Sequence, residues 1–279
     1  MCYCEKVKKF ILSLVILFGV MALLVPYFTS NFHDLQVQQE YEENLKKIQL
    51  EEQAKKDAEK KIFLLGKFEL SQREDFILIP IKYTVYENQM YLRKEVLEAF
   101  IQMAEAANKD EIEINIASAA RNFDYQKDIW NKKWTGITLV DGKNLLKSIP
   151  DGLERFEKIL EYSAVPGTSR HHWGTDIDIN ITIPFYFQTK EGKKVYEWLV
   201  KHASSFGFCQ TYNLKGSFEQ TGYNEEKWHW SYFPLAKEFL QNYKTLVRDT
   251  DINGFLGDEY VPKLNLINDY VLDINPECL

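Results

Sequence analysis

Two short stretches, far apart along the chain, carry the residue types that bind metals and move protons. The first is Ser169-Arg170-His171-His172-Trp173-Gly174-Thr175-Asp176-Ile177-Asp178-Ile179-Asn180, and the second is Glu226-Lys227-Trp228-His229. Imidazole nitrogen and carboxylate oxygen both suit a borderline cation such as zinc. A lone His-x6-Asp is weak, and it gains weight from the second cluster. Catalytic zinc sites use three protein ligands and keep the fourth position for water, and His171, Asp178 and His229 supply that count. Two neutral imidazoles and one carboxylate leave such a metal net positive, able to acidify water and polarise a carbonyl. The base that takes the water's proton must reach the water without being a ligand. Glu226, three residues before His229, has that placement if the chain turns just ahead of the strand. A cation is needed for a substrate carboxylate or an oxyanion, and Arg121 is the leading candidate. Ser169, two residues before His171, can donate a hydrogen bond to substrate.

These side chains need elements to hold them. From Gly174 onward, Asp176, Asp178 and Asn180 share one parity and Ile177, Ile179 and Ile181 the other, the pattern of a strand with one polar and one apolar face. Trp228-His229-Trp230-Ser231-Tyr232 alternates in the same way. A third strand is expected where Ile112, Ile114 and Ile116 alternate with Glu113 and Asn115, leading into Ser118-Ala119-Ala120-Arg121. Asp124 is the expected cap of a helix through Gln126, Ile129, Trp130 and Trp134. Further helices are read at 92–107, at 153–162 and from Glu191 to Phe206, the last ended by Gly207. Residues 76–84 read as extended, Phe208–Tyr212 as a strand and Gly216–Glu225 as a polar loop.

The hydrophobic content of 45% and aromatic content of 14% fit a packed core. A formal net charge of −7, with no basic block, argues against nucleic acid as a partner. Residues 10–28 carry no charge over a length able to span a bilayer. Lys6, Lys8 and Lys9 precede this run, and no Lys or Arg follows before Lys46. That asymmetry puts the N terminus in the cytoplasm and the remainder on the extracytoplasmic side. The run is longer than a signal-peptide core and lacks an A-x-A-like cleavage site, so an uncleaved anchor is favoured over a cleaved leader. The expected organisation is a cytoplasmic segment 1–9, a transmembrane anchor 10–28, a polar helical stalk 29–62, a catalytic domain 63–245 and a tail 246–279 packed on it. Asp249-Thr250-Asp251-Ile252-Asn253-Gly254 opens like a calcium loop, but Tyr260 stands where the bidentate Glu belongs, so a polar turn is expected. Cys209 and Cys278 can pair in an oxidising compartment or remain two thiols.

The pattern Ser169-x-His171-x-x-Gly174-x-Asp176-x-Asp178, followed by Glu226-x-Trp228-His229, resembles the zinc D-alanyl-D-alanine carboxypeptidases and dipeptidases of the LAS group, which includes the VanX and VanY types. Ser118-Ala119-Ala120-Arg121-Asn122, with Gln126 beyond it, matches that family's S-x-Y-R-S-type segment. The resemblance covers roughly residues 90–235. It implies an α+β fold: a small, mainly antiparallel sheet flanked by helices, with the zinc site on the sheet. It also implies that His171, Asp178 and His229 are zinc ligands and Glu226 the base. Arg121, Ser169, Ser118 and Gln126 would then meet substrate. Asp176 stands where the family has Ala, and Ala120 and Asn122 replace a Tyr and a Ser. Asp176 is therefore placed with the substrate contacts, as a partner for an ammonium, with support of a ligand as the alternative. The activity implied is hydrolysis of the terminal D-Ala-D-Ala bond of peptidoglycan stem peptides. L,D-carboxypeptidase, dipeptidase or endopeptidase action remains open, as does a non-catalytic wall-binding module.

Overall fold

The structure is a computed structural model that describes residues 2–161, 163–214 and 222–279; the side chains of residues 1–16 and 23–35 lie outside the description. The chain divides into two units, residues 1–57 and 58–279. Helix α1 (Cys2–Leu64) is continuous in its backbone. Its polar stretch holds Glu, Gln and Lys without Gly or Pro, which favours helix throughout. Among the described residues no helix is long and apolar enough to cross a membrane. Most of the run 10–28 expected to be an anchor lies outside the described side chains, and residues 216–221 of the expected polar loop lie outside the described residues altogether.

The second unit contains, in order, β1 (Phe76–Leu78), β2 (Tyr91–Arg93), α2 (Lys94–Lys109), β3 (Ile116–Ser118) and α3 (Phe123–Trp134). Then follow α4 (Leu145–Ser148), α5 (Gly152–Leu160), β4 (Asp176–Ile179) and α6 (Lys190–His202). The series ends with β5 (Phe208–Gln210), β6 (His229–Tyr232) and α7 (Phe233–Leu246). β1 and β2 form a small antiparallel pair. The main sheet is antiparallel in the order β3-β4-β6-β5, so the unit is α+β with helices flanking small sheets.

The apolar parity of β4 and β6 explains one side of this sheet. Ile177, Ile179 and Trp230 are buried with Ile116 and Phe208 against Val96, Phe100 and Met103 of α2 and Val195 and Leu199 of α6. A second core gathers Trp130, Phe156, Trp173, Tyr243, Leu240 and the tail residues Val261, Leu266, Val271 and Cys278. The polar parity of the sheet faces the space between, which fixes where the site can form.

Local chemistry shifts several boundaries. α3 is capped by Asn122, whose side chain accepts from the Tyr125 amide; Asp124, the expected cap, lies inside the first turn. The Ile-rich segment pairs as β3 only from Ile116 to Ser118, while Asn115 is tied to the side chain of Asn180. The helix at 191–206 ends at His202 and tightens into a 3-10 turn, Ala203–Phe206, before Gly207 at φ 84°. Cys209 and Cys278 form a disulfide, resolving the pairing that composition left open. Asp249–Asp251 is a single 3-10 turn held by the Asp251 carboxylate accepting from the Arg248 amide.

Candidate metal centre

Strand register does most of the positioning. Asp178, on the central strand β4, stands opposite Ser118 of β3 on one side and His229 of β6 on the other. His171 arrives from the 3-10 turn Arg170–Trp173 just before β4, and Gly174 ends that turn in the left-handed region at φ 68°. A Cβ at Gly174 would stand 2.4 Å from the Phe76 ring, so both the backbone and the packing require glycine there. Glu226 is fixed through its amide, which donates to the Tyr212 carbonyl, and through its carbonyl, which accepts from the His229 amide.

Three ligand atoms meet. His171 Nε2 is 3.5 Å from Asp178 Oδ1, and His229 Nδ1 is 3.3 Å from the same oxygen. All three lie within 4.8 Å of one another. Tetrahedral ligands about 2.0–2.1 Å from a shared zinc stand about 3.3 Å apart, so the spacing fits such a cation. His171 Nε2 and Asp178 Oδ1 are also buried and have no hydrogen-bond partner among the described residues. Buried polar atoms are normally satisfied, and these two are satisfied if they ligate a cation. Their neighbours set the tautomers. His171 Nδ1 donates to the Ala119 carbonyl at 2.7 Å, and His229 Nε2 donates to Asp176 Oδ2 at 2.9 Å, which turns the opposite nitrogen of each ring toward Asp178.

Asp176 is taken up by protein partners. It is fully buried, and its oxygens accept from Arg170 Nε at 2.8 Å, His229 Nε2, Ser231 Oγ at 2.8 Å and Thr175 Oγ1 at 2.7 Å. The expectation that it binds substrate is corrected: strand parity puts it on the face of Asp178, but Arg170 and Ser231 close over it and leave no acceptor position for a ligand. Arg170 was not singled out from sequence. Its guanidinium also donates to Ser231 Oγ and lies over the Trp173 ring. A basic residue beside a candidate ligand, six before an unexpected Asp, was the available signal.

The electrostatics follow from burial and these partners. Burial and then Arg121 push the His171 pKa below the usual histidine range, which keeps it neutral. For His229, burial opposes charge, but the carboxylates of Asp176, Asp178 and Glu226 outweigh it and raise the pKa well above that range. For Asp178, burial opposes ionisation, but His171 and His229 hold the carboxyl well below the usual carboxylate range. Burial raises the Glu226 carboxyl. Its Oε2 lies 3.3 Å from His229 Nδ1, beside the ligand cluster.

A cleft of about 770 Å³ opens onto this cluster and is lined by Arg121, Ser118, Ser169, Gln126 and Glu226, so the structure brings these expected residues together. Arg121 Nη1 donates to Ser118 Oγ at 3.1 Å and lies 3.9 Å from Asp178 Oδ2. Gln126 Nε2 donates to the Ala164 carbonyl at 2.7 Å, leaving Oε1 buried and unpartnered, so what it offers a ligand is an acceptor. His172, unassigned from sequence, accepts from the Gly167 amide at Nε2 and donates through Nδ1 to the Arg121 carbonyl. Burial drives its pKa down to about 3, so it is a neutral brace between the ligand turn and the arginine segment. Lys133, Tyr212 and Tyr223 also line the cleft, and sequence reasoning singled out none of them.

Comparison with known proteins bears on this geometry. Residues 89–235 match the VanY family, described as D-alanyl-D-alanine carboxypeptidase. YodJ of Bacillus subtilis is 26% identical over 216 residues, covering 75% of this chain and 67% of that protein. A D-alanyl-D-alanine carboxypeptidase of Enterococcus faecalis is 28% identical over 163 residues, covering 55% of this chain and 54% of its own length. The solved structure of the LdcB LD-carboxypeptidase is 25% identical, covers 72% of this chain and 81% of its own, and superposes with a TM-score of 0.46.

Proposed function

Because the chain belongs to the VanY family of D-alanyl-D-alanine carboxypeptidases, we propose that it is a membrane-anchored zinc peptidase that removes the terminal D-alanine from peptidoglycan stem peptides. One observation carries the reading: the partnerless ligand atoms of His171 and Asp178 converge with His229 Nδ1 beside a buried Glu226 at the head of an open cleft. Zinc, when bound, would acidify a water and polarise the scissile carbonyl. Glu226 takes the proton from the attacking water and returns it to the leaving amine, and its raised pKa suits both roles. Arg121 donates to the oxygen on which negative charge develops. Asp176 and the Ala119 carbonyl hold the two imidazoles in ligating orientation.

The test is digestion of pentapeptide and tetrapeptide muropeptides, with products read by mass. The reading expects loss of one alanine from the pentapeptide alone, abolished by chelation and restored by zinc. Cleavage of the tetrapeptide instead would mark an L,D-carboxypeptidase, and no cleavage of either would favour a wall-binding module. Glu226→Gln is expected to lower kcat by about 10²–10⁴ while still binding zinc.

The membrane part of the reading rests on the uncharged run 10–28, the lysines confined to its N-terminal flank, and a disulfide suited to an oxidising compartment. The full chain is expected to stay with membranes through an alkaline wash. Release by that wash would leave the peptidase reading without its anchor.

A further inference from the structure

We propose that Lys133 is the cation that reads the free carboxylate at the C terminus of the substrate, leaving Arg121 to serve the oxyanion; this rests on the peptidase reading above and deepens it. Gln126, Ile129 and Lys133 lie at i, i+3 and i+7 of α3, and all three line the cleft. Side chains on a helix lean toward its N terminus, so the lysine stem runs back toward Gln126 and the arginine segment. Its ammonium donates to Ser163 Oγ, a neutral and buried partner. Among the described residues no carboxylate pairs with it, and Asp141, an acid lining the cleft, is taken by Lys158 at 2.8 Å. Burial and Arg121 both work against its charge, and Glu226 alone favours it. A half-buried ammonium whose hydrogen bond goes to a hydroxyl is costly unless a ligand brings an anion within bonding reach of it.

The substrate class supplies that anion. Arg121 is committed to the metal side, held by Ser118 and 3.9 Å from Asp178. A terminal carboxylate lies one carbon beyond the scissile nitrogen, on the leaving-residue side, and needs a cation of its own. Gln126 presents an acceptor and repels a carboxylate. Among the described residues Lys133 is a positive group on that wall with no carboxylate paired to it.

The experiment compares the full-length chain with K133M and K133R on a pentapeptide ending in a free acid and on the same peptide ending in an amide. The parent is expected to prefer the acid. K133M should raise KM for the acid about tenfold or more with kcat little changed, leave the amide unaffected, and be largely rescued by K133R. Calorimetry with free D-alanine and D-alaninamide gives a readout independent of turnover, in which K133M should weaken only the acid. An unchanged acid preference in K133M, or equal losses on acid and amide, would overturn the proposal while parental hydrolysis leaves the peptidase reading standing. If the parent cleaves neither peptide, the peptidase reading fails and the inference fails with it.

Discussion

Asp176 and Asp178 stand two residues apart on the same face of one strand, yet their environments give them different work. Asp178 keeps an oxygen with no partner, as a ligand must, whereas Asp176 spends both oxygens on Arg170, His229, Ser231 and Thr175. Residue type and spacing were enough to pick out the His171, Asp178 and His229 cluster. They could not show what surrounds Asp176, because Arg170 reaches it through a turn that parity does not encode. Lys133 was illegible for a similar reason, since its wall is completed by Ser163 and Ala164 from a distant segment. A zinc titration tests the assignment of Asp176. Its carboxylate helps hold the His229 proton above the usual histidine range, so zinc must displace that proton and parental affinity should fall as pH falls. In Asp176→Asn the amide can donate to Nε2 and move the ring proton to Nδ1, the atom that faces Asp178. Affinity should then drop about 10–100-fold at every pH, with circular dichroism unchanged. Equal affinities would return Asp176 to a purely packing role.

At the level of elements, β4 is the reference against which the site is assembled. Its alternation was readable because isoleucines fill one parity without interruption, and that face is buried against α2 and α6. The length of β3 was not readable: Ile112 and Ile114 have strand periodicity but no partner strand, and the ladder begins at Ile116. The α3 start was misplaced by two residues because Asn122 and Asp124 are both good caps and only the backbone decides between them. Gly174 joins the histidine turn to β4 and sets their relative register. Gly174→Ala would pay about 1–2 kcal/mol for left-handed backbone, with overpacking against Phe76 added. The expected result is a lower Tm together with weaker zinc binding, read by calorimetry on the same sample. A lower Tm with undiminished zinc binding would show that the turn and the strand are positioned independently.

Across the 58–279 unit, two cores flank one polar seam. The core of α2, α6 and the sheet underside follows from amphipathic patterns, whereas the α+β class rested on the family resemblance. The other core is completed by the tail, whose short 3-10 and π turns have no clean periodicity, so sequence suggested its packing without its contacts. Asn275 places its side-chain amide on the Gln210 carbonyl at the end of edge strand β5 and its backbone amide on the Thr211 carbonyl just beyond it. The Cys209–Cys278 bond pins the same segment. Those carbonyls lead directly to Tyr212, whose own carbonyl holds the Glu226 amide. The last few residues therefore work as a selvedge, finishing a border that would otherwise unravel. Deleting residues 274–279 should cost turnover before it costs folding. It should also turn a well-behaved protein into one that sticks to its own kind, since a bare strand border invites a neighbour's strand. Size-exclusion chromatography of the shortened chain would reveal this as a shift to larger species, and a single unchanged peak would show the border was never at risk.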